Sequence, residues 1–196
     1  MSVIFGIHEE NRITIVGDKR EYNSNIDEYN DNCQKVFVIH EQLCIAIAGN
    51  VSISKAINLE INDYKAQVGR LLTTTDLTAI IKKFYERLIE KCPAKLKESF
   101  CCIYGGIDEN GKSSLICGTR CKQGYICNFV SEYIFGPADV DSKECNKILV
   151  ENYFARRGDF FKKILQEVYT KSNFVSSCGD KWVFNIQKGQ GILMRI

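Results

Sequence analysis

The order of apolar patterns along the chain constrains its fold more than any other feature. Short strand-like runs fill the first fifty residues, two amphipathic stretches follow, and the same succession of strands and paired helices is then repeated. Strand blocks separated by helix pairs favour stacked antiparallel sheets that are covered by helices. Only two of the 196 residues are proline and no Pro-rich linker divides the chain, so we expect one domain over residues 1–196.

Period and turn signals predict the individual segments. The predicted strands cover residues 3–8, 12–16, 35–39, 43–48, 99–107, 112–119, 124–135 (one or two strands), 175–178, 181–186 and 191–196. The predicted helices cover 51–70, a segment capped at Thr75-Asp76 and ending near Cys92-Pro93, 139–156 and 158–170. The polar segment 21–32 is predicted as a long turn or irregular edge, and 108–111 as a hairpin turn.

Composition excludes several classes of protein. The chain is 45% apolar and 26% charged, as expected for a globular domain, and its net charge of +2 gives no case for a nucleic-acid partner. No segment approaches the roughly 20 apolar residues that span a bilayer, which argues against a membrane partner. Charged residues in the first thirty positions argue against a secretory signal and favour a cytoplasmic protein. Without a Walker loop or dinucleotide fingerprint, no cofactor is predicted.

Ten cysteines are many for such a chain. Most lie in apolar runs, where a reduced thiol behaves as a small hydrophobic side chain. A zinc site is the alternative, since Cys117, Cys121 and Cys127 lie close together. No Cys-x2-Cys pair occurs, however, and the two histidines, His8 and His40, are distant in sequence. We therefore predict no metal site.

Ser2 carries the strongest functional signal, because it directly follows Met1 at the start of a strand-like run. A small second residue allows Met1 to be trimmed. The trimmed chain would begin with a hydroxyl nucleophile beside a free α-amine, which titrates near neutral pH and can act as a general base. An ordinary Met-Ser start is the competing interpretation, so Ser2 needs further residues to support it.

Asp18 and Lys35 supply that support, since one ends the second apolar run and the other opens the third. An N-terminal-nucleophile hydrolase uses these groups: a hydroxyl, a carboxylate and an amine at the ends of early strands. Each residue also has a purely structural interpretation. Asp18 would be a solvated strand end, Lys35 a surface residue at a hairpin, and Gly49 a glycine at a helix start.

In these segments the chain resembles proteasome β-type subunits, including the bacterial peptidase that partners an ATPase ring. The resembling stretches are Ser2–Gly6, Ile13–Arg20, Gln34–Ile39 and Ala46–Gly49. Asp18 lies 16 residues after Ser2, and Gly49 lies 14 after Lys35, as in the family. The order of elements matches over nearly the whole chain. The resemblance implies an α+β fold, a four-layer α/β/β/α sandwich of two antiparallel sheets.

The resemblance also implies a role for each matched residue. Ser2 would be the nucleophile, with its own α-amine taking the hydroxyl proton through a water. Lys35 would stabilise the ionised hydroxyl with its positive charge, and Asp18 would hold Lys35. The Gly49 N–H would stabilise the tetrahedral oxyanion. Arg20 would tie the end of the Asp18 strand to its surroundings.

Three departures from the family pattern bear on activity. The family normally begins with Thr, and Ser2 retains the hydroxyl but lacks the methyl that restricts its rotation. The turn Phe135–Ala138 contains Pro137 where the family places a serine. Asn173 and Ser176 best match a late Asp and Ser pair, so a carboxylate is missing; Ser177 and Asp180 are the candidate substitutes.

The sequence therefore predicts an N-terminal-serine hydrolase of the threonine-peptidase type, cleaving peptide or protein amide bonds through an acyl-enzyme. The resemblance implies a homo-oligomeric ring and allows an ATPase unfoldase as partner. Two alternatives stay open. One is a non-catalytic proteasome-like scaffold or binding subunit, motivated by Pro137 and Asn173. The other is an amidase that acts on a small molecule.

Overall fold

A computed structural model describes residues 2–23, 28–91, 100–121, 124–156 and 159–196. The strands are β1 Ile4–Glu9, β2 Arg12–Asp18, β3 Glu21–Asn23, β4 Glu28–Asn30, β5 Val36–His40, β6 Leu43–Gly49, β7 Phe100–Ile107, β8 Ser113–Cys121, β9 Gly124–Phe129, β10 Glu132–Phe135, β11 Gly179–Asn185 and β12 Gln190–Arg195. The helices are α1 Val51–Val68, α2 Thr74–Lys91, α3 Ser142–Ala155 and α4 Phe160–Lys171. In the described part of the chain, no helix is both long and apolar enough to cross a membrane.

Two five-stranded antiparallel sheets form the centre of the molecule. One has the strand order β10-β1-β2-β11-β12, and the other has the order β5-β6-β7-β8-β9. Helices α1 and α2 contact the second sheet, whereas α3 contacts β10 of the first sheet and packs against α4. The result is the four-layer α/β/β/α sandwich that the sequence predicted.

Three apolar clusters hold the four layers together. The cluster between the sheets contains Ile4, Ile15, Ile103 and Trp182, all fully buried. A second cluster joins α1 and α2 to one sheet, and a third joins α3 and α4 to the other. Both sheets are therefore covered on both faces, which explains why their strands read as continuous apolar runs.

Buried cysteines belong to these clusters, as the sequence predicted. The thiols described by the structure are free, at Cys33, Cys44, Cys101, Cys102, Cys117, Cys127, Cys145 and Cys178. Burial raises the pKa of the Cys102 thiol to about 12. This thiol therefore stays protonated and packs as a small apolar group.

The start of α2 differs from its predicted position. The helix begins at Thr74, and Thr73 caps it rather than Thr75 and Asp76. The Asp76 carboxylate accepts the Thr73 N–H at 2.8 Å, and the Thr73 hydroxyl accepts the Asp76 N–H at 3.3 Å. This reciprocal pair satisfies two N–H groups at the helix start. The predicted stop at Cys92-Pro93 lies outside the described residues.

Two further segments differ from the sequence prediction. Residues 21–32, predicted as a turn or irregular edge, contain the short hairpin β3–β4, in which Tyr22 pairs with Tyr29. Residues 175–178, predicted as a strand, form no strand. In this segment the Ser176 hydroxyl donates to the Cys178 carbonyl oxygen at 2.7 Å, and the Ser176 N–H donates to the Asp18 side chain rather than to a strand partner.

Candidate functional site

A large cavity collects the predicted site residues at one end of the two sheets. Ser2, Lys35 and Gly49 line it together, although they come from the chain start, the residue before β5 and the last residue of β6. Its volume is about 1280 Å³. The turn after β10, including Gly136 and Pro137, also lines the cavity, next to the chain start, because Phe135 pairs with Ile4.

The Asp18 carboxylate organises this end of the sandwich from beneath the cavity. Asp18 ends β2 and is fully buried. Its Oδ1 accepts the Val3 N–H at 2.8 Å and the Lys35 ammonium at 2.7 Å. Its Oδ2 accepts the N–H groups of Arg20 at 2.8 Å and Ser176 at 3.3 Å. One carboxylate oxygen thus holds both the peptide that follows Ser2 and the predicted catalytic lysine.

The Lys35 ammonium is held at the cavity wall by two hydrogen bonds. It donates to Asp18 Oδ1 and to the Arg20 carbonyl oxygen. An ammonium has three N–H donors, and Lys35 also lines the cavity. Since the side chains of Lys35 and Asp18 are only 5% and 0% exposed, their pairing is an ion pair shielded from water.

Ser2 lies in the extended segment that enters β1. It is 3% exposed and lines the same cavity as Lys35. The Val3 carbonyl oxygen accepts the Asp18 N–H at 3.1 Å, so the residue after Ser2 is bonded to Asp18 through both its backbone groups. These two hydrogen bonds fix the direction of the chain start.

Gly49 and Asn50 form the junction between β6 and α1. Gly49 has φ of 118°, a conformation that side chains disfavour, so glycine is the residue this junction requires. The Asn50 side chain caps α1 by accepting the N–H groups of Ser52 and Ile53. The sharp junction places Gly49 in the cavity wall beside the helix start.

Arg20 connects the Asp18 end of β2 to two other segments. Its guanidinium pairs with both oxygens of Asp31, at 2.6 and 2.8 Å, and donates to the Asn173 carbonyl oxygen at 3.0 Å. It also lies over the Tyr29 and Tyr169 rings. This guanidinium holds the pKa of the Asp31 carboxyl below its ordinary value. Arg20 thus positions the β3–β4 wall of the cavity.

The remaining predicted residues lie outside the cavity lining. Ser176 is buried behind Asp18, where its hydroxyl accepts the Lys19 N–H at 3.0 Å. Asn173 is exposed and contributes its backbone oxygen to Arg20. Asp180, considered as a substitute carboxylate, pairs instead with Lys19 at 2.9 Å. Ser177, the other substitute, is exposed.

Sequence reasoning missed the β3–β4 wall, including Asp31 and Tyr29. A signal was present, because the triplet Glu-Tyr-Asn occurs at both Glu21–Asn23 and Glu28–Asn30. The repeated tyrosine favours a strand at each triplet. The Tyr22 and Tyr29 rings contact each other, and both contact Phe174. The β3–β4 hairpin therefore packs against the loop after α4.

No protein-family model and no curated protein matches this sequence. Solved structures do match, among them the Anbu (Gly-1) mutant from Hyphomicrobium sp. strain MC1. The two structures align with a TM-score of 0.77 over 100% of this chain and 87% of that chain, at 14% sequence identity. At this identity the likeness shows the fold alone. The chain therefore shares the α/β/β/α sandwich fold of that structure, as the sequence predicted.

Proposed function

We propose that this chain is an N-terminal-serine hydrolase of the proteasome-like class, cleaving amide bonds in peptides or proteins after Met1 is removed. The observation that carries the proposal is the Asp18 carboxylate, whose Oδ1 accepts both the Val3 N–H and the Lys35 ammonium. This shared oxygen brings the residue next to Ser2 and a buried cation to one cavity wall, as nucleophilic catalysis at Ser2 requires.

The proposed reaction proceeds through an acyl-enzyme. The Ser2 α-amine, through a water, takes the hydroxyl proton while Ser2 Oγ attacks the substrate carbonyl carbon. Lys35 stabilises the developing negative charge on Oγ, and the Gly49 N–H donates to the carbonyl oxygen as it becomes an oxyanion. The substrate amine leaves with the proton. Water then attacks the Ser2 ester, releasing the acid and restoring the hydroxyl.

The size of the cavity favours a peptide over a small-molecule amide. Its 1280 Å³ exceeds the roughly 300–1,000 Å³ of ordinary small-molecule sites.

We extend the proposal to a homo-oligomeric ring in the cytoplasm, with an ATPase unfoldase as a candidate partner. The thiols that the structure describes are free and most are buried, which supports a reducing compartment. Light scattering measures the assembly directly, and a monomer would contradict the ring.

A non-catalytic subunit is the second candidate, and Pro137 favours it. This residue stands in the cavity wall and offers neither a hydroxyl nor an N–H to orient the α-amine. The Asn173 side chain is exposed outside the lining, so it does not replace them. On this alternative the protein folds and assembles, but Ser2 does not react.

Intact mass spectrometry tests the proposal before and after incubation with a β-lactone or an epoxyketone. We expect loss of Met1 and an adduct on Ser2. Ser2→Ala should abolish the adduct and peptide turnover, whereas Ser2→Thr, which keeps the hydroxyl, should retain both. A trimmed wild-type chain that takes no label would support the non-catalytic subunit, and turnover in Ser2→Ala would contradict the mechanism.

A further inference from the structure

The end of the sandwich away from the cavity holds a serine and a histidine that the proposed reaction does not use. His8 lies near the end of β1, and Ser113 is the first residue of β8. The distance between His8 Nε2 and Ser113 Oγ is 3.1 Å. Ser2 precedes His8 by six residues of extended chain, about 20 Å at roughly 3.3 Å per residue. The Ser113–His8 pair is therefore separate from the Ser2 centre.

Regular structure holds both members of the pair. His8 pairs with Ile13 of β2, and its N–H donates to the Ser131 carbonyl oxygen at 2.6 Å. Ser113 pairs with Ile107 of β7. Since β1 and β8 belong to different sheets, the hydrogen bond between the two side chains crosses from one layer to the other. Its length is thus set by the packing of two sheets, and sites built on such elements are more precise than sites on loops.

A tight turn fixes the chain directly before Ser113. Asp108 Oδ1 accepts the N–H groups of Asn110 at 2.8 Å and Lys112 at 2.9 Å. The Asp108 N–H donates to the Lys112 carbonyl oxygen at 2.8 Å. This oxygen of Asp108 is therefore used by the turn, and the backbone of Lys112 is held next to Ser113.

A small pocket of about 280 Å³ opens beside the pair. His8 and Ser113 line it together with Lys112 and two apolar residues, Leu115 and Phe129. Leu115 is buried, whereas Phe129 is 76% exposed. The pocket thus offers a hydroxyl beside an imidazole, an apolar surface and a residue that carries a positive charge.

The imidazole is suited to accept a proton. His8 is half-buried, and burial lowers its pKa below the ordinary value. A lowered pKa keeps His8 neutral at neutral pH, so that Nε2 can take the proton of the Ser113 hydroxyl. A hydroxyl and a base within hydrogen-bond reach of each other form an activated nucleophile.

We propose that Ser113 and His8 form a second catalytic centre, which hydrolyses small carboxylic esters. Ser113 Oγ bonds to the ester carbonyl carbon while its proton passes to His8 Nε2. The bond from that carbon to the alcohol oxygen then breaks, and His8 gives the proton to the departing alkoxide. Water attacks the Ser113 ester, with His8 again taking and returning a proton, which releases the acid and restores the hydroxyl. One ester and one water yield one acid and one alcohol.

The geometry favours esters over amides, and short acyl groups over long ones. Within the ranges that the structure describes, His8 Nδ1 has no hydrogen-bond partner, whereas a triad has a third, orienting group at that nitrogen. We therefore expect a good leaving group to be needed. The pocket volume lies below the roughly 300–1,000 Å³ of ordinary small-molecule sites, which limits the size of the substrate.

Hydrolysis of p-nitrophenyl acetate tests the proposal in the Ser2→Ala variant, so that the result does not depend on the proposed function. Adding Ser113→Ala or His8→Gln should each lower kcat/KM at least about tenfold, because a positioned general base typically contributes about 10²–10⁴-fold. Ser131→Ala is the matched control, since Ser131 is exposed and lies outside the pocket lining. It should keep the parent rate. Equal rates with and without Ser113→Ala would overturn the proposal.

Two further readouts separate catalysis from a purely structural link between the sheets. A fluorophosphonate should phosphonylate Ser113 Oγ with loss of fluoride, and peptide mass spectrometry should find the label there in the Ser2→Ala protein, in which the pair is intact. Added imidazole should restore hydrolysis to the His8→Ala variant but not to Ser113→Ala. A Ser113 that takes no label, or a His8→Ala loss that imidazole does not reverse, would overturn the proposal and leave the pair as a link between layers.

Discussion

At the residue scale, Asp18 explains how the cavity wall is built. The carboxylate is fully buried and accepts four hydrogen bonds, from Val3, Lys35, Arg20 and Ser176. Removing a carboxylate from water is costly unless it is paired and hydrogen-bonded, and here it is both. The same contacts fix the segment that carries Ser2, so stability and site geometry depend on one side chain.

Asp18→Asn should therefore destabilise the protein strongly. The substitution keeps the shape but leaves the buried Lys35 ammonium without its counter-charge, and breaking a buried pair costs about 3–5 kcal/mol. Urea denaturation measures the loss of unfolding free energy. Glu151→Gln is the control, because its pair with Lys147 is more than 60% exposed, and it should cost under about 1 kcal/mol. Equal losses in the two variants would contradict the prediction.

At the element scale, local polar contacts decide where the elements begin and how they meet. Asn50 starts α1 beside Gly49, and Thr73 with Asp76 starts α2. Arg70 reinforces the second start with two bonds of 2.8 Å to the Asp76 carboxylate. The sequence predicts Asp76 as a helix-start residue but places its capping partner at Thr75, two positions after Thr73.

The substitution Asp76→Asn tests the start of α2 through the pH dependence of the unfolding free energy. The bond from Arg70, aided by bonds from Thr73, holds the Asp76 pKa below its ordinary value. A lowered pKa in the folded state contributes stability above the ordinary carboxyl pKa, and that stability is lost as pH falls through the folded value. At neutral pH the substitution should cost about 1 kcal/mol, as for a typical helix cap.

The stability difference between wild type and Asp76→Asn should shrink on acidification, as urea melts at several pH values would show. Asp63→Asn is the control, since Asp63 is exposed on α1 and its side chain forms no hydrogen bond or ion pair with the residues that the structure describes. A difference that stays constant from neutral to acidic pH would mean that the charge of Asp76 does not contribute.

At the scale of the whole molecule, glycines set the spacing between the sheets. A Cβ on Gly105 of β7 would lie 2.9 Å from Ile13 Cγ2 on β2, and a Cβ on Gly6 of β1 would lie 2.9 Å from Ile103 Cγ2 on β7. Each glycine therefore accommodates a branched side chain from the opposite sheet. This close approach supports the cavity, whose walls come from both sheets.

Gly105→Ala should push the sheets apart and lower the unfolding free energy by about 1–3 kcal/mol, the usual cost of overpacking. Ile13→Leu removes the branched methyl that the new Cβ would meet while conserving side-chain volume. The double variant should therefore recover part of the loss in thermal or urea unfolding. Losses that simply add would show that the two positions do not contact each other.

The sequence by itself determined the succession of strands and helix pairs, because apolar period and turn residues are local signals. It also identified Ser2, Asp18, Lys35 and Gly49 as candidates, and their roles stay proposals. Only the tertiary structure decided which of these meet. Ser2, Lys35 and Gly49 line one cavity because strands distant in sequence begin or end at one edge of the sandwich. Pairing partners such as Arg20 with Asp31 depend on contacts across elements that no local pattern encodes.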